Sequence, residues 1–320
     1  MAGRAADPRG RQADRPSGIS RSGWLDVARR MWDDIGRYEL SVVSAGIAFN
    51  EFFALFPALA AGVALFGLVA DPMVVEEQVN ALGGFLPDDV RRLIGEQLVG
   101  LTRASEGSLG VSFGIALVVA LWGATRGVKG LMAGLNIVNG EEEGRGFLRY
   151  NLVALALTVG SILFGLVALG LVAALPAALG LLPLPDGVKT ALSAGRWPVL
   201  GAFALAGLVV IYRYAPSRQP PRWRWVTWGA ALAVLVWLAG SGLFSLYAAR
   251  FGSFNETYGS VAAVAVMLLW FQLTAFAVLL GALLDAEAEH QTVRDSTTGP
   301  EQPMGRRGAR MADTVGRARR

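Results

Sequence analysis

Six long apolar blocks dominate this chain, at about 40–70, 108–128, 149–181, 197–215, 224–249 and 258–284. Each is long enough to cross roughly 30 Å of hydrocarbon as a helix. The apolar excess comes as continuous blocks rather than amphipathic stripes, which is the pattern of a multi-pass membrane protein. Composition agrees: 53% of residues are hydrophobic and 17% charged, where a soluble protein carries about 25% charged. The fold class expected is all-α, a polytopic bundle of six transmembrane helices. The second block is the least regular, because "LWGATRGVKGLMAGLNIVNG" runs on past Arg126 and Lys129. The third has room to tilt, or to bend at Pro176.

Orientation follows from where Lys and Arg fall between the blocks. Residues 1–39, 126–149, 213–224 and 285–320 carry 23 of them, and the alternate connections carry 6. Both termini are therefore expected on the cytoplasmic side, which six spans allow.

The first external connection is unlike the others. Val75, Val79 and Leu82, then Val90, Leu93, Ile94, Leu98 and Leu101, recur at helical spacing on either side of "GGFLPDD". Two short amphipathic helices are expected there, with Asp88 or Asp89 near a helix start. Residues 71–107 hold seven acids against three cations, so the segment suits an external cap rather than an anionic lipid surface.

Ahead of the first block, "GWLDVARRMWDDIGRYEL" sets Trp24, Ala28, Met31, Trp32 and Ile35 on one face and Arg29, Arg30, Asp33, Asp34 and Arg37 mostly on the other. That is the pattern of an interfacial helix on the cytoplasmic leaflet. The domain reading is 1–22 as a disordered cytoplasmic N-terminus, 23–290 as the membrane domain and 291–320 as a cytoplasmic basic tail. The ends have the polar, charged composition of disordered chain.

Several chemistries are excluded by residue type. There is no cysteine and a single histidine, His290. Disulfides, thiolate metal sites and cysteine nucleophiles are ruled out, and a zinc or His-dependent nuclease needs more imidazoles or thiolates than the chain has. No strand–loop–helix phosphate cradle is present, so no metal and no cofactor is expected. The basic tail suits anionic lipid headgroups and gives no specific nucleic-acid signature.

Glu51 is the residue that stands out. An intramembrane carboxylate is costly and is a functional hypothesis by default. Asn50 adjoins it, and Pro57, six residues on, removes a backbone donor and clashes with the carbonyl of Phe53. Two readings stand side by side. In one, Asn50, Glu51 and Pro57 line a polar substrate pathway, with Gln272 of the sixth block as a further member. In the other, Glu51 is protonated or paired and only ties helices together, and Gln272 is interhelical glue. Arg126 and Lys129 are either snorkelling cations at a span end or contacts for an anionic headgroup. Glu256, Tyr258 and Ser260, in "FNETYGS", are either an external gate or a helix cap with an interfacial anchor. Asn136 suits a cap or turn, and "EEEGR" at 141–145 a solvated loop. Gly110-x-x-x-Gly114 and Gly123-x-x-x-Gly127 suit close helix packing. Trp223, Trp225 and Trp228, beside Arg222 and Arg224, read as interfacial anchors.

Three longer stretches carry a resemblance. "AGIAFNEFFALFP", "LWGATRGVKGLMAGLNIVNGEEEGRGFLRYNLVAL" and "FGSFNETYGSVAAVAVMLLWFQLTAFAVLLGALLDAEAEHQT" are similar to the YihY/BrkB family of bacterial inner-membrane proteins. The resemblance runs from about Trp24 into the tail and implies six spans with cytoplasmic termini. The chain departs from the family pattern at Asn50, where Tyr is usual, and at Glu51, where a small or apolar residue is usual. It departs again at Leu283, a usual Glu, and at Asp285, a usual Asn. Glu51 taking over part of the role lost at Leu283 is one hypothesis. Failure of Leu283→Glu to restore a Glu51→Ala variant would count against it. The family has carried a ribonuclease BN label, which implies chemistry this chain lacks.

The expected function is transport or export of a small or amphipathic solute or lipid, without ATP hydrolysis and without enzymatic activity. The alternative is a non-transporting structural or assembly protein of the envelope. The partners expected are the lipid bilayer and a lipid or small-solute substrate, with a homo-oligomer left open.

Overall fold

A computed structural model describes residues 9–67, 109–181, 183–250 and 260–318. The capping segment at 71–107, with Asp88 and Asp89, lies outside the described residues, as do Glu256 and Tyr258. Among the described residues every long element is a helix: α1 Arg21–Arg37, α2 Leu40–Gly67, α3 Leu109–Asn139, α4 Phe147–Leu169, α5 Leu175–Leu181, α6 Asp186–Tyr214, α7 Thr227–Arg250, α8 Ser260–His290 and the short α9 Arg310–Asp313. A π-helical turn, Gly170–Ala174, joins α4 to α5. The sole β feature there is an isolated bridge between Pro221 and Thr297.

Local chemistry sets the helix ends. Ser20 caps α1 by accepting the Gly23 N–H at 3.2 Å. The chain turns into α2 through Glu39, whose φ of 48° is in the left-handed region. Glu39's carbonyl then accepts from Val42 at 2.8 Å and Val43 at 3.0 Å. At the end of α3, Gly140 has φ 66°; its N–H donates to Ile137 and that of Glu141 to Asn136. That pair of bonds is a Schellman closure, in which glycine takes the left-handed position without steric cost.

Five helical stretches among the described residues are long and apolar enough to cross a membrane: Leu40–Ala58, Phe147–Val172, Gly187–Tyr214, Trp223–Tyr247 and Val264–His290. The most apolar part of Gly187–Tyr214 is 0% buried inside the protein. A helix that is apolar all round and unburied needs a hydrocarbon solvent, so the chain is a multi-pass membrane protein. The block placed at 108–128 is not among the five; α3, which contains it, is 31 residues long and runs to Asn139.

The chain divides into two compact units. One holds Met1–Phe49, Gly130–Val153 and Trp197–Arg320; the other holds Asn50–Lys129 and Ala154–Arg196. In the first, α7 and α8 run antiparallel in close contact. Trp237 Nε1 donates to Thr274 Oγ1 at 3.1 Å, and the rings of Trp237 and Trp270 lie 6.2 Å apart. Lower down, Gly229 faces Gly281, where a side chain on either residue would run into the backbone of the other helix.

Three sequence expectations change here. Residues 9–20 and 291–318 have the composition of disordered chain, yet they pack. The Thr292 hydroxyl donates to the Ala13 carbonyl at 2.6 Å, and Val293 N donates to Arg11 O at 2.8 Å. Arg222 N donates to Ser296 O at 2.8 Å, and buried Arg307 donates to the carbonyls of Val293, Gln302 and Ala312. The segments are held by backbone hydrogen bonds to loops, a term that apolar content does not measure. Trp225 is no interfacial anchor: at 1% exposed it sits in a cluster with Ala13, Ile19 and Ala288, while Trp223 and Trp228 stay exposed. The inward face of α1 is also not the apolar one. Asp26, Val27, Met31 and Asp34 are buried and Trp32 is 79% exposed, because the charged groups find partners across the fold.

Candidate functional site

Asn50, Glu51 and Pro57 all lie on α2, which continues without interruption past the proline. Asn50 is exposed and Glu51 half-buried. A side chain at Gly127 of α3 would come within 3.2 Å of Ala54 Cβ and 3.3 Å of Glu51 Cα, and one at Gly123 within 2.9 Å of Pro57 Cγ. The Gly123-x-x-x-Gly127 pair thus lets α3 pack directly on the Glu51–Pro57 stretch. At Gly114 nothing among the described residues lies within 4 Å of the open face. Glu51 has no ion-pair partner among the described residues.

Lys129 Nζ lies 4.9 Å from the Trp122 ring centroid, a cation–π contact on the face of α3. Arg126 is exposed. Gln272 Nε2 donates to the Ser41 carbonyl at 3.3 Å, tying α8 to the start of α2. Gln272 and Ser41 belong to one unit, and Asn50, Glu51 and Pro57 to the other. Ser260 is the first residue of α8.

A second assembly, at the His290 end of α8, was not singled out by the sequence. Arg30 of α1 donates to the Glu287 carboxylate, to Gln291 Oε1 at 2.9 Å and to the Glu287 carbonyl at 3.1 Å. Arg218, in the segment after α6, lies 2.7 Å from Glu289 Oε2 and donates to Asn139 Oδ1 at 2.9 Å. Asp285 Oδ1 accepts the Gly229 N–H of α7 at 2.7 Å. Alternate residues of "DAEAE" are turned by about 200° from one another, so Glu287 faces Arg30 while Asp285 and Glu289, one turn apart, share the other side of α8. Each carboxylate is buried: Asp285 is 6% exposed, Glu287 1% and Glu289 2%.

The loops beside this assembly are charge-ordered too. Asn136 Oδ1 accepts the Ser217 N–H at 2.7 Å, so it links two loops, besides lying in the closing turn of α3. Glu143 takes two bonds of 2.7 Å from Arg145, which hold its carboxyl down at about 2, with burial opposing. Glu141 Oε1 accepts the Arg310 N–H at 2.7 Å. "EEEGR" is therefore a mostly exposed loop, as expected, in which Glu141, Glu143 and Arg145 also make capping and ion-pair contacts. In α1, burial and then the negative charge of Glu287 push the Asp34 carboxyl up to about 6, with Arg37 opposing.

The partners of the α8 carboxylates were missed because they are distant in sequence: Arg30 and Glu287 are 257 residues apart. The signal available was three acids in five residues at the end of an apolar block, matched by arginines in "RR" and "YAPSRQPPR".

Among known proteins, the family model described as Virulence factor BrkB matches residues 31–305. The chain is 28% identical over 248 residues to the ribonuclease-like YfkH of Bacillus subtilis (strain 168), covering 76% of this chain and 88% of the relative. It is 28% identical over 277 residues to a UPF0761 membrane protein of Verminephrobacter eiseniae (strain EF01-2), covering 84% of this chain. There it spans 63% of the relative's length. A UPF0761 membrane protein of Pseudomonas aeruginosa (strain LESB58) matches at 33% over 143 residues, 44% of this chain and 33% of the relative. No solved structure matches the chain.

Proposed function

We propose that this chain, which belongs to the virulence factor BrkB family of membrane proteins, is a transporter or exporter-like protein for a small or amphipathic solute or lipid. Its setting in this reading is the bacterial inner membrane, with six spans, an external cap and both termini cytoplasmic. The 23-to-6 division of basic residues supports that orientation.

The observation that carries the reading is Glu51. It sits in an apolar helix ahead of a proline, half-buried, packed on a glycine of α3 and without an ion-pair partner among the described residues. A carboxylate left that way in a membrane span is stabilised by a bound cation, a proton or a substrate amine. Asn50 and Pro57 complete the proposed pathway, and exposed Arg126 with Lys129 offers an anionic headgroup contact. Gln272 is better read as interhelical glue, since its amide is spent on the Ser41 carbonyl. Glu256, Tyr258 and Ser260 remain the proposed external gate. The ribonuclease-like name of the Bacillus relative has no counterpart in this chain's chemistry, which lacks cysteine and has one histidine.

A structural or assembly role is the second reading. Its support is the ordered packing of both termini around buried ion pairs, a construction that suits a rigid docking platform. A thermal-shift screen of the purified chain against lipids, osmolytes and cations, beside Glu51→Gln, separates the two. A ligand that binds the folded state raises its melting temperature by mass action. Transport gains if one ligand class stabilises the wild type and not the variant. It loses if no ligand shifts either protein and Glu51→Gln is neutral or stabilising.

A further inference from the structure

A small cavity lies where α8 meets the loop after α6 and the start of α7. Its lining includes Asn139, Tyr212, Arg218, Trp225, Asp285 and Glu289. The space open to a water centre is ≈ 10 Å³, about one water molecule. Four of the lining residues carry a buried polar atom with no hydrogen-bond partner among the described residues: the donors Arg218 Nη2 and Trp225 Nε1, and the acceptors Asp285 Oδ2 and Glu289 Oε1. Glu289 Oε2 also lacks an aligned hydrogen bond, although Arg218 Nη1 is 2.7 Å away; that contact is an ion pair with poor directionality.

One water has two hydrogens and two lone pairs, a match for two donors and two acceptors. Charge is not matched by water alone. Asp285 and Glu289 face a single cation, Arg218. Tyr212 of α6 donates its hydroxyl to the Val278 carbonyl at 2.6 Å, and from α7 the contact is the neutral Gly229 N–H. Beyond the lining, Glu141 after α3 is capped on Arg310 N, and the Arg213 and Arg222 guanidiniums, still charged, donate to the carbonyls of Pro221 and Thr297 and make no ion pair with Asp285 or Glu289 among the described residues. Glu287 turns to Arg30 on the other side of α8. The cavity so sets two buried carboxylates against one guanidinium in direct contact, which is costly unless a further cation joins them. The two inward N–H donors disfavour a metal ion. A proton needs no further space.

We propose that this cavity is a proton-binding site, in which Asp285 and Glu289 share one exchangeable proton across a single bound water. The proton comes from bulk water and returns to it; it forms an O–H bond on one carboxyl, and no other bond changes. This does not depend on the transport reading of Glu51. It gives this chain a titratable element at the end of α8, of the kind that proton relays are built from.

The experiment is infrared difference spectroscopy of the full-length protein in detergent, between about pH 5 and about pH 9, on either side of neutrality. A Glu51→Gln background removes the carboxyl of α2; Glu287, held by Arg30, stays in place and is told apart by the variants below. The expected result is a carbonyl stretch of a protonated carboxylic acid, shifted by deuteration, and lost in Asp285→Asn or in Glu289→Gln. Asn keeps the acceptor for Gly229 N and Gln the length of Glu, and far-UV circular dichroism checks that each variant is folded; if one fails to fold, the other decides. No such band in the difference spectrum overturns the proposal. A band that persists in the folded variants overturns it as well, because the proton then sits elsewhere. Failure of the Glu51 reading leaves this band in place.

Discussion

Arg218 Nη1 lies 2.7 Å from Glu289 Oε2, and each side chain is 2% exposed. A pair this deeply buried contributes little over an apolar replacement but is strongly destabilising when halved. Arg218→Ala, which leaves Glu289 and Asn139 Oδ1 without their donor, is expected to cost about 3–5 kcal/mol. The double variant Arg218→Met with Glu289→Leu should lose much less. Unfolding in a denaturing-detergent titration compares the two, and equal losses would show that Arg218 acts mainly through other contacts.

Close approach of α7 and α8 rests on Gly229. A methyl there would meet both the Gly281 carbonyl and the Asp285 carboxylate. Gly229→Ala is expected to destabilise by about 1–3 kcal/mol, the usual cost of overpacking. Gly36, in α1, has nothing within 4 Å of its open face, so Gly36→Ala should stabilise by about 0.5–1 kcal/mol. Melting temperatures of the two variants should therefore move in opposite directions.

The contact between α1 and α8 should weaken with rising pH. In the folded chain Asp34 is raised to about 6 by burial and by Glu287, against about 3.9 in the unfolded chain. The folded state thus binds more protons over that interval, and its stability falls as pH rises through it. The stabilising increment is fully present below about 3.9 and lost above about 6. Asp34→Asn should flatten this part of the stability profile, measured as melting temperature from about pH 4 to about pH 7. An unchanged slope in the variant would assign the effect to another group.

One hydroxyl adds to the backbone bonds that join the two terminal segments. Thr292 Oγ1 donates to Ala13 O at 2.6 Å and accepts from Arg294 N at 3.1 Å. Thr292→Val keeps the shape and removes both bonds, at an expected cost of about 1–3 kcal/mol. Limited proteolysis reports it locally, since the variant should be cut sooner within 293–318 than the wild type. Identical digestion of the two would mean that the backbone bonds alone hold the tail.

The long helices were legible because apolarity is a local property. The blocks beginning near 40 and 224 correspond to α2 and α7, and the turn at Gly140 ends α3 within the stretch that resembled the family. Glu51 stood out for the same reason, as a charge in an apolar run. The terminal segments and α1 were misjudged because their order comes from contacts with distant chain. Arg30 and Asp34 look like solvent-facing charges until Glu287 is placed opposite them, and Trp225 looks like an interfacial anchor until Ala13 and Ala288 close over it.

What the sequence by itself determined is the solvent: the transfer free energy of each block is a sum over neighbouring residues, so a membrane-spanning helical chain of this family follows from reading along it. Only the tertiary structure decided which charges are buried, and with which partners. Pairing energies such as those of Arg30 with Glu287 and Arg218 with Glu289 exist only once residues far apart in the chain are brought within a few ångströms in a medium that screens them weakly.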